Sequence, residues 1–469
     1  MNPKIKSAIA EIEGRIDIPD EKKIVETLTN ELLHMKSILV YNSSFYFKVK
    51  NLLVPISDQE VFQIIRTSIR DSSRAKISSY GIKETAERLR DMPELQIDAD
   101  EIAEMNKYNV LVKNGVFNVK DGSFNPNPPP NELYLYMLNF NYIPDTTLKD
   151  APDFEYFVRT SLGEENLDCC LEWIGYSCTT LTEARKSMTF IGSEKNGKSM
   201  MIDIMEDGLG LENTSSVAFN RIGTEQSRIK YQGKIANLSR EISAESLKNE
   251  DAFKSLIAGE RITGRRLYEN SREFRTYAKF TSASNFFPQF RHLDTAVLDR
   301  ILLIYFKDRK ESNVKTDYEL KDKLLAEKDI IFSMSLDKVA GLIKSGYQFS
   351  MSDRAKAVLA NKRIELLNVP CFIAENFELD TDAVISSTQL YGLYKDWCSM
   401  NAIAPEGRNT FYSKVTDYNS KISRGKFPFG SHNLNGFKGL KYKGNYNDEM
   451  YEQSYQDSPV SLQEGGDSE

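Results

Sequence analysis

The sequence has few of the residues that build disulfides, metal centres and histidine-based catalysis. Its 469 residues include five cysteines and three histidines, with no Cys-x-x-Cys pair. An odd number of cysteines without paired spacing fits reduced thiols better than a disulfide framework or a zinc site. No apolar run approaches the roughly 18 to 20 residues that a membrane span requires, and the polar N-terminus has no export signal. We therefore expect a cytoplasmic protein with no membrane partner.

The net charge of −7 comes from one end of the chain. The sequence holds 61 lysines and arginines against 68 aspartates and glutamates. Residues 445–469 contain seven of the acids and no base, so the rest of the chain is balanced. The total charge therefore does not exclude a nucleic-acid partner, which needs only local positive surface. We expect residues 445–469 to form a disordered acidic tail.

The first 180 residues divide into two regions that carry no catalytic motif. Residues 1–107 mix helical periodicity with a β-rich stretch, 38–56, whose composition predicts a hairpin around Asn42, Ser43 and Ser44. Ser57 and Glu60 form a candidate capping box for the next helix. Residues 108–180 have two short extended runs and then a proline-rich stretch at 125–132, which predicts a linker or exposed loop before another helix.

Residues 181–315 alternate strands and helices and contain the most specific motif. An apolar strand, Met188–Ile191, precedes a loop that fits G-x-x-x-x-G-K-[ST] and then an apolar helix. Glycines let the backbone amides of such a loop turn toward phosphates, the lysine neutralises phosphate oxygens, and the last hydroxyl suits Mg²⁺. The motif predicts a site for ATP and Mg²⁺ formed by Gly192, Ser193, Glu194, Lys195, Asn196, Gly197, Lys198 and Ser199.

A P-loop also needs an acid at the end of a neighbouring strand. The strand at 235–239 is followed by Arg240 and Glu241, and we predict that Glu241 helps to hold magnesium and polarises water. Arg240 stands where a second carboxylate is common, so that the usual acidic pair is incomplete. Glu245 is the nearest substitute.

Three further features follow the predicted acid. Residues 261–280 hold six bases and two acids with tyrosines between them. This composition is typical of a segment that binds a nucleic-acid backbone, but also of an ordinary solvated surface. The next strand ends at Asn285, an amide that could position the attacking water. Arg300 precedes another apolar strand, and its alternative role is a surface salt bridge with Asp294 or Asp299.

Together these segments resemble the superfamily 3 helicases, in particular the phage, plasmid and poxvirus primase-helicase family, whose helicase half is an AAA+ ATPase. FIGSEKNGKSMM resembles its Walker A motif, NLSREIS its Walker B motif, and FTSASNFFP its sensor 1 strand. DTAVLDRILLIYF resembles the arginine-finger segment, although Asp299 replaces the first of its paired arginines. VISSTQLYGLYKDWCSMNAIAP resembles the start of the C-terminal winged-helix domain.

The resemblance implies an α/β P-loop AAA+ ATPase domain with an N-terminal mixed α+β accessory region and a C-terminal winged-helix-like domain. The predicted boundaries are 1–107, 108–180, 181–315 for the ATPase core, 316–367 for a helical lid or connector, 368–444 for the basic winged-helix-like domain, and 445–469 for the tail.

The resemblance also implies roles for single residues. Lys198 and Ser199 would bind phosphate and magnesium, Glu241 would be the Walker B acid, Asn285 the sensor, and Arg300 the finger that reaches a neighbouring subunit. A hairpin near residues 268–279 would track single-stranded DNA in a central pore. The DNA-binding candidates are Arg265, Arg266, Arg272 and Lys279 near the hairpin, and Arg408, Lys414, Lys421, Arg424 and Lys426 in the C-terminal domain.

These features predict an ATP-driven helicase that forms a ring, expected to be a hexamer, and moves along single-stranded DNA. It would serve the replication of a phage, plasmid or integrated element in the cytoplasm of a bacterial host. The alternatives are a helicase loader or packaging motor, and an ATP-switched initiator that binds duplex origin DNA. The acidic tail would shield the basic segment or dock a replication partner. We expect no priming activity, because residues 1–107 are about half the roughly 200 that a primase domain needs and their Asp98-Ala99-Asp100 lies in a polar stretch.

Overall fold

The computed structural model describes residues 3–10, 12–18, 23–240, 247, 249–265, 271–291, 293–308, 319–401, 403–429 and 432–444. The chain divides into two compact units, Met1–Ala355 and Lys356–Glu469. The division falls inside the segment 316–367 that the sequence suggested as a connector.

The N-terminal part of the first unit packs helices on a small antiparallel sheet. The helices are α1 (Pro3–Ile9), α2 (Ile24–Met35), α3 (Asp58–Ser68), α4 (Asp71–Arg74), α5 (Ser79–Asp91) and α6 (Ala99–Met105), and the strands are β1 (Ile38–Tyr41), β2 (Ser44–Val49) and β3 (Leu52–Ile56). Tyr41 pairs with Ser44, and both residues of the turn between them have left-handed φ angles, 47° and 60°. Such a two-residue turn matches the twist of a hairpin, so the predicted hairpin is confirmed, as is the capping box of Ser57 and Glu60.

Strands β4 (Asn109–Val112), β5 (Gly115–Asn118) and β6 (Phe124–Asn125) form a second antiparallel sheet. Side chains on β4 alternate between two cores: Val110 and Val112 belong to the core of the large parallel sheet, and Leu111 belongs to the N-terminal core. Successive side chains of a strand point to opposite faces, so a run of consecutive apolar residues is buried on both sides.

The stretch 125–132 is mostly exposed, as the prolines predicted, whereas alternate residues after it are buried. Tyr134, Tyr136, Leu138, Phe140 and Tyr142 are all buried. Their backbone forms hydrogen bonds on both sides, for example from Leu138 N to Leu111 O (2.9 Å) and from Asn139 N to Gly208 O (2.8 Å). Of the two alternatives, the exposed loop fits 125–132, and the even-numbered side chains of the segment that follows enter the two cores.

A five-stranded parallel sheet forms the centre of the first unit. Its strands are β7 (Ser187–Ile191), β8 (Thr214–Ser215), β9 (Ala236–Ser239), β12 (Lys279–Ser284) and β13 (Ile301–Tyr305), in the spatial order β13-β7-β12-β9-β8. A separate hairpin is made by β10 (Arg261–Gly264) and β11 (Arg272–Arg275). The helices of this region are α7 (Pro152–Phe157), α8 (Leu167–Ser177), α9 (Lys198–Leu209), α10 (Glu225–Arg228), α11 (Glu250–Ile257) and α12 (Thr295–Leu298). The predicted alternation of strands and helices is confirmed.

Helices α13 (Leu320–Ala326) and α14 (Lys328–Lys344) complete the first unit. Helix α14 packs closely on α8, where Gly175 faces the backbone of Ser335. Helix α15 (Asp353–Asn376) follows and contains Pro370.

The second unit has a core of its own, formed by residues from Val369 to Leu440. Its elements after α15 are β14 (Phe377–Ser386), α16 (Ser387–Met400), α17 (Arg408–Tyr418), β15 (Ser423–Phe429) and β16 (His432–Tyr442). The strands form an antiparallel sheet in the order β14-β16-β15, so the first strand pairs with the last and the final two form a hairpin.

Candidate nucleotide-binding site and nucleic-acid interface

The loop between β7 and α9 has the backbone that its glycines predict. Gly197 has a left-handed φ of 101°, and a Cβ there would lie 2.7 Å from the ring of Phe157. At Gly192 a Cβ would lie 2.0 Å from the side-chain nitrogen of Asn196. Glycine is therefore required at both positions, once for conformation and once for space. The loop leads directly into α9, which begins at Lys198.

Lys198 is buried and directed back into the loop. Its Nζ donates to the backbone oxygens of Gly192 (2.6 Å) and Ser193 (2.5 Å) and to the side-chain oxygens of Asn196 and Asn285 (both 3.1 Å). Burial removes water from the ammonium group and lowers its pKa, against the opposing effect of Glu194 and Asp308. The Lys198 ammonium is thus surrounded by neutral oxygens, which the phosphate oxygens of a bound nucleotide would replace.

Two other loop residues fit a bound triphosphate. The buried Asn196 has a side-chain nitrogen without a hydrogen-bond acceptor among the described residues, and such a donor is suited to a phosphate oxygen. Ser199 is exposed on the first turn of α9, beside backbone N–H groups that have no partner within the helix. The predicted acid Glu241 and its substitute Glu245 lie outside the described residues.

Asn285 follows the carboxyl end of β12, the strand next to β7. Its contact with Lys198 brings two predicted residues together that are 87 positions apart in the chain. This edge, the carboxyl ends of parallel strands, is where open α/β sheets bind ligands.

Arg240 lies at the carboxyl end of β9 and is paired with two acids of α9. Its guanidinium donates to Asp203 and Glu206, and Asp203 also binds Lys321 of α13 at 2.6 Å. Sequence reasoning missed Asp203 and Glu206. The available signal was their spacing of three residues, which places both carboxylates on one face of the helix.

The β10–β11 hairpin is present, but its predicted DNA contacts differ in accessibility. Arg265 is exposed, Arg272 is half-buried and donates to Ser44 of β2 at 3.2 Å, and Arg266 lies outside the described residues. The prediction that Lys279 contacts DNA was wrong. This lysine begins β12, is 3% exposed, and donates to the backbone oxygens of Thr179 and Tyr277 (2.9 Å to the latter).

Comparison with known families gives three matches along the chain. Residues 21–163 match "D5 N terminal like", residues 190–300 match a family of unknown function designated DUF5906, and residues 368–457 match "Poxvirus D5 protein-like". Two of the three models describe D5-like proteins, one near each end of the chain, and they support a D5-like member of the primase-helicase family of phages and poxviruses. This similarity suggests a role in replication.

Solved structures agree with this D5-like protein in fold. Two apo structures of the NrS-1 C-terminal region have TM-scores of 0.52 and 0.50, each at 12% identity, and each comparison covers 88% of this chain and 98% of the other. At this identity the likeness concerns the fold alone. No curated protein matches the sequence significantly. No helix in the described part of this D5-like chain is both long and apolar enough to cross a membrane.

Arg300 of this D5-like protein lies just before β13, at an edge of the parallel sheet. Its Nη1 donates to the backbone oxygen of Ala296 at 2.6 Å. Asp294, one of its two suggested salt-bridge partners, instead binds Lys254 at 2.9 Å and caps α12. The described residues contain no salt bridge between Arg300 and Asp294.

The Asp98 and Asp100 pair of the N-terminal region has structural partners. Asp98 caps α6 by accepting hydrogen bonds from the backbone nitrogens of Asp100 (2.8 Å) and Glu101 (3.2 Å). Asp100 accepts from Arg261 (3.0 Å) and Tyr277 (3.3 Å). These contacts join the N-terminal region to the base of the β10–β11 hairpin.

The C-terminal unit of the D5-like protein exposes most of its predicted basic residues. Arg408, at the start of α17, and Lys421, Arg424 and Lys426, on and before β15, are exposed. Arg424 stacks over the ring of Tyr412 at 4.5 Å, and Arg408 lies 5.4 Å from the ring centre of Tyr391. Lys414 is paired with Glu406, so it is the least available of the five.

Proposed function

We propose that this D5-like protein is an ATP-driven DNA helicase that assembles as a ring and translocates on single-stranded DNA. The contact between Lys198 and Asn285 carries the proposal. It joins the phosphate-binding motif and the candidate sensor at the carboxyl edge of one parallel sheet. A helicase of this type uses ATP hydrolysis to move its DNA contacts, so the nucleotide-binding site and the β10–β11 hairpin would act together.

The ATP site requires residues of three elements. The loop Gly192–Gly197 and Lys198 would bind the phosphates, with Asn196 as an extra donor. Ser199 and Glu241 would hold Mg²⁺, which would supply positive charge next to the phosphates. Asn285 would orient the attacking water. The parallel α/β sheet and the glycine-dependent loop support an AAA+ type of P-loop domain.

The position of Arg300 supports the proposed ring. Its guanidinium precedes an edge strand, and a finger that completes a neighbour's site makes hydrolysis depend on assembly. The β10–β11 hairpin, with the exposed Arg265 directly after β10 and Arg272 at the start of β11, is the proposed contact with single-stranded DNA. Arg266 stays a prediction from the sequence. Lys279 has no part in this contact, because it is buried.

The second unit is the proposed duplex-binding module. Two consecutive helices, α16 and α17, precede a β-hairpin that carries Arg424 and Lys426 on exposed positions, and β14 pairs with the last strand. This order of elements supports a winged helix, in which α17 and the hairpin would contact phosphates. The acidic tail, 445–469, lies outside the described residues, and its role in shielding or docking stays a prediction.

The test is strand displacement on forked DNA with ATP and Mg²⁺. Wild-type protein should separate the strands, and Lys198→Ala should lose both ATP hydrolysis and unwinding by about two orders of magnitude or more, because a charge at the phosphates is removed. Circular dichroism and a thermal midpoint close to wild type would show that the variant is folded.

The same experiment separates the rival functions. Wild-type protein that hydrolyses ATP but separates no strands over a range of salt concentrations would contradict the helicase. Specific, ATP-dependent binding to duplex origin DNA in that case would favour the initiator, for which the exposed bases of the second unit are the supporting observation. Absence of any ATP hydrolysis would remove both ATP-driven functions.

A further inference from the structure

The chain departs from its family pattern at Arg240, and the structure gives this arginine a defined task. Strand β9 is buried along its whole length and ends at Ser239. Arg240 then turns toward α9, with Nη1 donating to Asp203 and Nη2 donating to Glu206. The planar guanidinium can bind two carboxylates at once, whereas a lysine ammonium is a single point charge.

The two carboxylates link this arginine to the nucleotide loop. Asp203 and Glu206 lie one turn apart on α9, the helix whose first residues are Lys198 and Ser199. A connection between the end of β9 and the middle of α9 therefore fixes the strand that leads to Glu241 relative to the loop that binds phosphate. Both acids are half-buried, with side-chain exposures of 18% and 22%, while the Arg240 side chain is 43% exposed. The two simultaneous carboxylate partners, rather than deep burial, favour a defined geometry over a single transient surface pair.

Electrostatics explains why an acid does not occupy position 240. A carboxylate there would face Asp203 and Glu206, and three acids of like charge in one place would repel one another. Burial raises the pKa of Asp203, but hydrogen bonds from Lys321 and Arg240 outweigh it, so the pKa lies below its ordinary value. Asp203 is therefore ionised at neutral pH and attracts both cations.

Asp203 also joins a third element to the network. Lys321, on α13, binds Asp203 Oδ2 at 2.6 Å, while Arg240 binds Oδ1 of the same carboxylate. One carboxylate thus connects the end of β9, the helix of the nucleotide loop, and α13. A movement of α13 relative to α9 would act on the same group that holds Arg240.

We infer that Arg240 is a positioning residue, which with Asp203 and Glu206 fixes the carboxyl end of β9 against α9 and thereby sets the rate of ATP hydrolysis rather than the affinity for ATP. This inference rests on the proposed ATPase function. Arg240 would then act through the position of β9 and not as a catalytic residue.

The test compares steady-state ATP hydrolysis by the full-length protein and three variants. Arg240→Met removes the guanidinium and should lower kcat about ten-fold or more, as expected when a reacting group is displaced, while KM for ATP changes by less than about two-fold. Arg240→Lys should recover part of kcat, because it keeps the charge. The matched control is Lys328→Met, which breaks the pair of Lys328 with Asp207 on the same helix α9 but leaves β9 untouched.

A charge exchange covers the case in which Arg240→Met is merely unstable. Arg240→Glu alone should be the least active variant, and Arg240→Glu combined with Glu206→Arg should recover part of its kcat by restoring an attractive pair. Equal kcat for wild type and Arg240→Met would overturn the inference, as would a loss confined to KM or a loss shared equally by Lys328→Met. If wild type hydrolyses no ATP, the proposed function itself fails, which is a different result from an active wild type with an insensitive Arg240.

Discussion

Two lysines near adjacent strands of one sheet, one at the start of α9 and one at the start of β12, have different environments. Lys198 follows β7 and its ammonium is surrounded by loop oxygens at the sheet's carboxyl edge. Lys279 begins β12 at the opposite end, where it contacts backbone oxygens and lies 5.2 Å from the ring centre of Tyr176. The first is a ligand-binding candidate and the second is a structural residue of the interior.

The burial of Lys279 makes stability depend on pH. Desolvation lowers its pKa from 10.5 to about 7. Between pH 7 and 10.5 the unfolded chain therefore holds a proton that the folded chain lacks, so the free energy of unfolding rises with pH, by at most about 1.4 kcal/mol per pH unit. Below pH 7 both states are protonated and this dependence disappears.

Lys279→Met should remove this dependence. In urea unfolding, the free energy of unfolding of wild type minus that of the variant should increase between pH 7.5 and 9.5 and stay constant from pH 5.5 to 6.5. The matched control is Lys83→Met, at an exposed position of α5. A relative free energy that is the same at every pH would show that the buried ammonium does not titrate in this range.

At the scale of elements, the contact between α8 and α14 depends on glycine. A Cβ at Gly175 would lie 2.1 Å from the backbone oxygen of Ser335 on α14. The helices cannot approach this closely with a larger residue, and backbone atoms cannot move aside as a flexible side chain can. The apolar periodicity predicted both helices, but the sequence does not indicate which glycine faces the partner helix.

Gly175→Ala should destabilise the first unit by roughly 1 to 3 kcal/mol, the usual cost of overpacking. Gly341→Ala, on the exposed side of α14, has no atom within 4 Å of the added Cβ and should stabilise by up to about 1 kcal/mol through helix propensity. Thermal unfolding of both variants is the measurement. A similar shift in both would mean that the helices separate enough to accept the methyl group.

At the scale of the whole molecule, the proposed ring predicts complementation between subunits. Lys198→Ala should be defective in its own site, and Arg300→Ala should be defective in its neighbour's site. A mixture of the two variants would contain some interfaces that pair an intact loop with an intact finger. ATP hydrolysis in the mixture should therefore exceed that of either variant alone.

The control for this experiment is a mixture of Lys198→Ala with the double variant Lys198→Ala and Arg300→Ala, in which no interface has an intact loop. Recovery only in the first mixture would support the finger acting between subunits. The same low rate in both mixtures would argue that Arg300 acts within its own subunit or has only a structural role.

Local sequence determined the parts of this protein that depend on neighbouring residues in the chain. The hairpin at 42–44, the cap at Ser57 and the loop before Lys198 are set by turn chemistry, spacing and glycine conformations over a few residues, so each was predictable. Tertiary structure decided what depends on partners far apart: the burial of Lys279, the packing of Tyr134 to Tyr142 between two cores, and the pairing of Arg240 with α9. Charge and hydrophobicity along a chain indicate which residues can be exposed, but the environment of each side chain is set by the elements that fold against it.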